Sequence, residues 1–308
     1  MLNRLKRFRR AYLAAFLVPS VAVIFLFFLF PVMLTLLIGL TDMTFSFEWH
    51  WVYLNNYFQM LSDRWTPKIL FNTLFYVFST LALFNFGTAL LISLITNHIN
   101  EKVGAAFRAI WLLPRITPST VYALMWLWAT RDEPTALFNW LLTGLGLKPV
   151  KWLWYNPPIN WLVVIAVNGF VGASFGMIIF TAALKSIPED YIRAAKVDGA
   201  SGWQLVRYVE LPLMKWPLMF VAAYQTLSLL TSYEYIFLVT NGGPGLYTTE
   251  VWALYSYHIA FFQYAGGGRL GYGAALSTIL VAIGLVMSVI YWKLFRFKEL
   301  MIEPKIED

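Results

Sequence analysis

Long apolar runs dominate this chain and restrict its fold more than any other feature. Charged residues make up only 13% of the sequence, and several stretches of about 20 residues or more contain almost none. A helix needs about 20 residues to cross about 30 Å of hydrocarbon. Six such spans are placed near residues 12–40, 69–96, 106–129, 160–184, 216–239 and 271–294. The runs lack the alternation of a barrel strand, so the sequence predicts an all-α membrane protein with six transmembrane helices.

Positive charge is distributed unevenly among the segments between these runs. Five of the first ten residues are Lys or Arg, and most of the others fall in 97–108, 185–215 and the tail from 293. Because Lys and Arg accumulate on the cytoplasmic side, we expect both termini in the cytoplasm. The first run has no small-x-small cleavage site and is interpreted as a span, not a signal peptide. The net charge of +7 then reflects topology, and no nucleic-acid partner is expected.

A polar segment at residues 186–215 separates the fourth and fifth runs on the predicted cytoplasmic side. Ser186 and Glu189 have the spacing of a capping box, with Pro188 in the first turn, which predicts a helix start. Apolar side chains then recur at helical spacing and form a narrow ridge: Ile187, Tyr191, Ala194, Ala195 and Val197. Such a ridge suits a partner's groove, and an ordinary surface helix would show the same pattern.

The second half of this segment predicts a bend and another short helix. The Asp-Gly pair at 198–199 is a stop signal. Ser201 and Gln204 repeat the capping-box spacing, so a second helix should begin there. The Leu-Pro pair at 211–212 should end it, because the residue before a proline is disfavoured in helical conformation.

The same segment resembles the coupling segment of the permease subunits of binding-protein-dependent ABC importers. In that family a Glu-Ala-Ala triplet precedes a spaced Gly and closes in Ile-x-Leu-Pro. The matching positions here are Ala194, Ala195, Asp198, Gly199, Ala200, Leu211 and Pro212. Arg193 stands where the Glu is usual, which puts one polar contact in doubt. The resemblance implies that these residues, with Tyr191, couple the chain to an ATPase subunit, and that Arg193 could pair with an acidic residue there.

Two later motifs extend the resemblance to about residues 69–294. Thr-Asn-Gly-Gly-Pro-Gly occupies 240–245 after the fifth run, and Gly-Tyr-Gly-Ala-Ala opens the sixth at 271–275. Both are similar to motifs of the larger subunit in carbohydrate-type permease pairs, the MalF- and UgpA-like subunits. This implies a type I ABC importer transmembrane domain with a cytoplasmic coupling-helix loop. It also implies an outer, periplasmic turn formed by Gly242, Gly243 and Pro244.

Two ionisable residues lie inside predicted spans, where a charge is costly and usually faces the bundle interior or a cavity. Glu234, in the fifth span, could line the substrate path or pair with a neighbouring helix. Arg115, in the third, could contact substrate, bridge helices or extend toward the interface; substrate contact would favour an acidic or phosphorylated sugar. Further polar groups could bind a polyol or bond within their own helix: Tyr224, Gln225, Ser228, Thr231 and Ser232.

Motifs for several catalytic chemistries are missing from the sequence. No GxxxxGK[ST] motif is present, so this chain cannot use ATP through a P-loop. The three histidines lack HExxH spacing, which argues against a zinc site. The sequence also contains no GxSxG motif, which argues against a serine hydrolase, and no cysteine, which excludes thiol chemistry. We therefore expect no catalytic residue, metal or cofactor on this chain, and ATP with Mg²⁺ on partner subunits.

These features predict one permease domain over residues 1–308 in the cytoplasmic (inner) membrane of a bacterium or archaeon. The resemblance implies import of a sugar, oligosaccharide or related polyol. It implies three kinds of partner: a second similar permease subunit, two ATPase subunits and a periplasmic or lipid-anchored solute-binding protein. An ion-gradient-driven secondary transporter is the main alternative, which would need proton or sodium ligands within the membrane and usually a repeat. An intramembrane enzyme is a third class, disfavoured by the missing motifs.

Overall fold

The computed structural model describes residues 15–154, 158–262 and 268–295. Across those ranges the chain is helical, and its one extended pairing is an isolated bridge between Thr41 and Trp51. The helices in chain order are α1 (Ala15–Ile38), α2 (Asn55–Ser62), α3 (Thr66–His98), α4 (Glu101–Ile116), α5 (Ser119–Ala129), α6 (Leu137–Gly144), α7 (Ile159–Lys185), α8 (Glu189–Val197), α9 (Gly202–Leu205), α10 (Lys215–Leu230), α11 (Glu234–Val239), α12 (Trp252–Phe261) and α13 (Leu270–Leu294). The all-α prediction is confirmed.

Four of these helices, α1, α3, α7 and α13, are each long and apolar enough to cross a membrane. They correspond to the predicted first, second, fourth and sixth spans. The basic N-terminal residues and the tail from 296, which support the predicted orientation, lie outside the described residues.

The predicted third span, 106–129, is interrupted and forms two helices. α4 ends at Ile116, Thr117 is extended (φ −76°, ψ 133°), and α5 begins after Pro118. The cause is local, because a proline disfavours helical conformation in the residue before it and has no N–H to donate. The predicted span is therefore two helices, α4 and α5.

The predicted fifth span, 216–239, is also interrupted, here without a proline. α10 ends at Leu230 and α11 starts at Glu234. Thr231 donates its hydroxyl back to the carbonyls of Leu227 and Ser228, at 3.4 and 3.2 Å. Tyr233 has left helical geometry, with φ −134° and ψ −18°. Hydroxyl side chains that bond to nearby backbone compete with the helix, and here they accompany its end.

The described helices group into two compact units. One unit comprises residues up to 63 together with 256–281. Within it, the Asn56 amide donates to the carbonyls of Gly39 and Thr41, at 3.0 and 2.8 Å. The Gly271 N–H donates to the Met43 carbonyl at 2.9 Å. These bonds fix the chain where it leaves α1 and where it enters α13.

The other unit comprises residues 64–255 together with the chain from 282. At its centre α3 contains a π-helical turn, Leu81–Thr88, that packs on α7. A Cβ on Gly169 or Gly172 would overlap Phe84 or Asn85 of this turn, and one on Gly176 would lie 2.5 Å from the Asn85 carbonyl oxygen. The glycines let the two backbones approach closely. That the whole chain acts as one domain stays a prediction.

Candidate coupling segment and translocation surface

The start of the coupling segment differs from the sequence prediction. The capping box proposed for Ser186 and Glu189 is wrong: α8 begins at Glu189 directly after Pro188, without a side-chain cap. The Ser186 hydroxyl instead donates to the Ala183 carbonyl at 2.7 Å. The physical reason is that α7 continues to Lys185, so Ser186 still belongs to its last turn.

Helix α8 presents its side chains to solvent, since none of its residues is buried. Tyr191 is 57% and Val197 is 87% exposed, so this part of the predicted apolar ridge is open to solvent, whereas Ile187 packs against a buried cluster of the core. Arg193 donates to the Glu189 carboxylate, one turn earlier, at 2.7 Å. Arg193 thus has a partner within its own helix, and its pairing with an ATPase residue stays a prediction.

A glycine bend joins α8 to α9, as the sequence predicts. Gly199 has φ +80°, and a Cβ added there would meet nothing within 4 Å. The Ala200 N–H closes the bend on the Ala195 carbonyl at 2.9 Å. Beyond it the predicted capping box is confirmed: Ser201 and Gln204 each bond to the other's backbone N–H.

The prediction that the Leu-Pro pair ends the second helix is wrong. The chain passes from α9 through a π-helical turn, Val206–Glu210, into a further helical turn, Leu211–Leu213. The break falls at Met214 (φ −85°, ψ 4°), and α10 follows. A π turn leaves room for a proline, whose missing N–H and ring disrupt regular α-helical bonding. Leu211 and Pro212 are therefore inside the connection to α10.

A buried carboxylate in this π turn was not predicted from the sequence. Glu210 is 1% exposed and lies 3.1 Å from Nε2 of His98, the last residue of α3. A buried carboxylate requires a polar partner. The available signal was a charged residue within the mostly apolar string at 205–213, but its partner is 112 residues away.

An ion network lies at the same end of α3. Glu101, the first residue of α4, accepts from Lys185 at 2.6 Å and from Arg108 at 3.2 Å. The Lys185 ammonium, and after it the Arg108 guanidinium, hold the pKa of Glu101 below its usual value. Arg108 also donates to the Thr96 carbonyl of α3 at 3.1 Å. The network ties the ends of α3 and α7 to the start of α4.

An aromatic series lies on α7 and α10. Tyr224 stacks on Phe175, with ring centroids 4.6 Å apart and planes 23° apart, and the Phe220 ring centroid lies 6.1 Å from that of Tyr224. Arg115 lies over the Phe175 ring at 5.6 Å from its centroid. Tyr224 and Phe220 are about half exposed, at 48% and 50%. Neither phenylalanine was predicted from the sequence, although Phe220 and Tyr224 have the i, i+4 spacing of a shared helix face.

Glu234 lies where the two interrupted spans meet. It is exposed in the first turn of α11, and it accepts a hydrogen bond from the hydroxyl of Ser119, the first residue of α5. The structure thus joins the break in the third span to the break in the fifth. This contact is a pairing of Glu234 with a neighbouring helix, which was one of the two predicted roles. Because Glu234 is exposed, its carboxylate is also accessible to solvent.

The remaining polar candidates divide between core and surface. Gln225 is 4% exposed and donates to the Gly172 carbonyl of α7 at 2.8 Å. Ser232 accepts from the Asn168 amide at 2.7 Å, which also bonds the Tyr76 hydroxyl. Ser228 is exposed. Gln225 and Ser232 thus bond to α7, while Ser228 is open to a ligand; a substrate contact for any of them stays a prediction.

The Gly-Gly-Pro turn is held by contacts with neighbouring residues of the same chain. Gly242 has φ +76°, and a Cβ added there would overlap the carboxylate of buried Glu250. The Thr249 hydroxyl donates to the Gly243 carbonyl and bonds the Thr240 hydroxyl, both at 2.8 Å. Gly243 and Pro244 thus lie in a turn fixed by the threonines on either side of it.

Helix α3 holds the outer turn, which comprises residues 240–252. The Asn72 amide donates to the carbonyls of Tyr247 and Glu250, both at 3.0 Å. The Thr73 hydroxyl accepts the Trp252 N–H at 2.8 Å. The Asn72 amide also lies 3.4 Å from the Thr248 carbonyl, and the Lys68 ammonium donates to the Leu246 carbonyl at 2.6 Å, so side chains in the first half of α3 bond several backbone groups of the outer turn.

Four long apolar helices, two interrupted predicted spans and a helix–bend–helix segment whose first helix has no buried residue are features of a polytopic membrane protein. Residues 88–296 match the family of the binding-protein-dependent transport system inner membrane component. The chain belongs to this family, which confirms the resemblance seen in its motifs and identifies it as a multi-pass inner-membrane component of a transport system.

Individual relatives agree with this assignment. The chain is 32% identical over 295 residues to the trehalose/maltose transport system permease protein MalF of Thermococcus litoralis, covering 95% of this chain and 96% of that one. It is 31% identical over 289 residues to a probable ABC transporter permease protein of Pyrococcus horikoshii, covering 91% and 95%. Among solved structures, a chain of a bacterial alginate ABC transporter, in complex with an alginate-pentasaccharide-bound periplasmic protein, matches with a TM-score of 0.78 at 23% identity, over 93% of this chain and 94% of that one. These matches confirm the predicted ABC permease fold.

Proposed function

We propose that this chain is a permease subunit of an ATP-driven importer and forms half of the path for a sugar, oligosaccharide or related polyol. The observation that carries the proposal is the coupling segment, whose first helix is exposed along its whole length in a chain without a P-loop. Family membership and the named sugar permease among its relatives support it.

The energy is supplied by other subunits. Two ATPase subunits bind ATP and Mg²⁺, and one of them docks on α8, through Tyr191 and the Ala194–Ala195 pair, with the bend at Asp198, Gly199 and Ala200 alongside. Closure of the ATPase dimer pushes residues 187–209 as a lever, and the helical passage at 206–213 transfers the push to α10. The helices tilt and open a midplane cavity outward, and hydrolysis resets it inward.

The substrate moves along the surface formed by Arg115, Phe175, Phe220, Tyr224 and Glu234. Exposed aromatic rings bind the apolar faces of sugar rings, while Glu234 and the Ser228 hydroxyl accept and donate hydrogen bonds to sugar hydroxyls. Arg115 adds a planar cation, which suits a carboxylate or phosphate carried by an acidic sugar.

The complete importer contains a second, similar permease subunit, which supplies the other half of the path. A periplasmic or lipid-anchored solute-binding protein delivers the sugar to the outer loops, including the turn at Gly242, Gly243 and Pro244. Both termini and the coupling segment face the cytoplasm, as the Lys and Arg distribution predicts.

Purification from the native membrane tests the proposal. The tagged wild-type chain should bring along a P-loop ATPase and a second permease, whereas Gly199→Asp and Ala195→Glu should lose the ATPase and retain the permease. Gly146→Asp is the matched control, because Gly146 also has a positive φ (+75°) with nothing within 4 Å of a Cβ, and it lies outside the coupling segment. Recovery of the chain alone, with transport abolished by an ionophore, would establish the gradient-driven alternative instead.

A further inference from the structure

The inner end of α3 is joined to the coupling segment by a pair in which Glu210 is buried and His98 is 37% exposed. His98 Nε2 lies 3.1 Å from the carboxylate of Glu210, whose side chain is 1% exposed. Glu210 ends the π turn through which the coupling segment passes toward α10. If this turn moves, the end of α3 moves with it, or the buried Glu210 carboxylate loses its contact with His98. Losing that contact is costly for a buried carboxylate.

The outer end of the same helix is joined to the outer turn. Asn72 is 5% exposed, and its amide donates to the backbone carbonyls of Tyr247 and Glu250. Thr73, 3% exposed, accepts the backbone N–H of Trp252. These bonds hold main chain rather than mobile side chains, so the turn follows any shift of α3 at this end.

Between these ends α3 is one helix of 33 residues, about 50 Å long. Its π-helical turn at 81–88 is packed against the glycines of α7 so closely that added methyl groups would overlap it. Closely packed interiors resist small displacements and transmit them. Sliding of α3 along α7 is therefore disfavoured, and the two helices move together.

We infer that α3 transmits movement between the coupling segment and the outer turn, with His98 and Glu210 as the inner joint and Asn72 as the outer joint. This rests on the proposed function, because the movement is that driven by ATP. These residues are positioning residues: they touch neither substrate nor ATP, and they set how far a push at one face reaches the other.

A double-mutant cycle in the complete reconstituted importer tests this inference. The complex contains this chain, its partner permease, the ATPases and the binding protein, and the measured quantity is substrate imported per ATP hydrolysed, normalised to assembled complex. We expect His98→Ala and Asn72→Ala each to lower this ratio by about fivefold or more, and the double variant to be no worse than the lower single variant. His98→Gln, which keeps an amide donor for Glu210, should restore most of the ratio.

The control cycle combines His98→Ala with Asn139→Ala. Asn139 is also a fully buried amide that donates to backbone, to the carbonyls of Arg131 and Val150 at 3.1 Å each, but it lies on α6. The fold loss of the import ratio in this double variant should equal the product of the two single losses to within about twofold, because distant sites act independently. If Asn72→Ala fails to assemble, Thr73→Val removes the acceptor for Trp252 at almost unchanged volume.

The outcomes separate the two proposals. A wild-type complex without ATP-dependent import would overturn the proposed function. A wild-type complex that imports, with His98 and Asn72 effects that multiply as the control does, would overturn the role of α3 alone. Loss of assembled complex without a change in the import ratio would also overturn it, since a purely structural contact behaves in that way.

Discussion

The two glycine bends of this permease both have a positive φ, but one lies in open space and the other is closely packed. Gly199, with φ +80°, bends the coupling segment in open space, whereas Gly242, with φ +76°, bends the outer turn against a buried carboxylate. The first bend is closed by local backbone bonds, and the second by threonines and by α3. An open bend and a turn completed by contacts within its own chain thus differ in packing, although both require the left-handed region that favours glycine.

Gly242→Ala should give the largest effect. The added methyl group overlaps the Glu250 carboxylate, and the alanine must keep the positive φ of Gly242. Overpacking and backbone strain together should lower the free energy of unfolding by at least about 3 kcal/mol. The thermal midpoint of the purified protein in detergent should fall clearly. A midpoint equal to that of the wild type would show that the outer turn is as open as the coupling bend.

Gly199→Ala should have a smaller effect, about 1 kcal/mol, because only the positive φ is penalised and the methyl group meets nothing. The same thermal measurement should rank it well above Gly242→Ala in stability. ATPase binding should change less than with Gly199→Asp, since the alanine introduces no charge at the docking surface. A loss of stability equal to that of Gly242→Ala would remove the distinction between the two bends.

Arg193→Gln should have the smallest effect on the isolated chain, at most about 0.5 kcal/mol, because it removes one exposed i, i+4 ion pair. Binding of the purified ATPase sharpens the comparison. If Arg193 serves only Glu189, affinity should change less than twofold in this variant. A tenfold loss would show that it leaves Glu189 for an acidic residue of the ATPase.

Local signals in the sequence predicted much of the fold. The apolar runs gave the positions of the spans, and the capping box at Ser201 formed as expected. The break before α5 also had a local signal, Pro118, but it was overlooked because the apolar run 106–129 has the length of a single span. The break after Leu230 had neither Gly nor Pro, and the Ser186 cap failed because α7 continues to Lys185 and Ser186 belongs to its last turn.

The candidate site was less accessible to sequence reasoning, because its contacts join distant residues. Arg115, Tyr224 and Glu234 could be chosen as unusual residues in apolar spans, but stacking on Phe175 and the bond from Ser119 depend on how the helices pack. The same holds for His98 and Glu210, 112 residues apart. Periodicity identifies the face of a helix, and it does not identify the helix opposite.

The two interrupted spans also have a consequence for membrane insulation. The sequence places the breaks after Ile116 and Leu230 inside predicted spans, where backbone groups that lose their helical partners would find none in hydrocarbon. Such groups persist only where protein covers them or water reaches them. On the proposed substrate path, water should therefore lie beside Ser119 and Glu234. The resistance of the membrane to ion leakage must then be maintained elsewhere along the path, by whichever end of the cavity is closed.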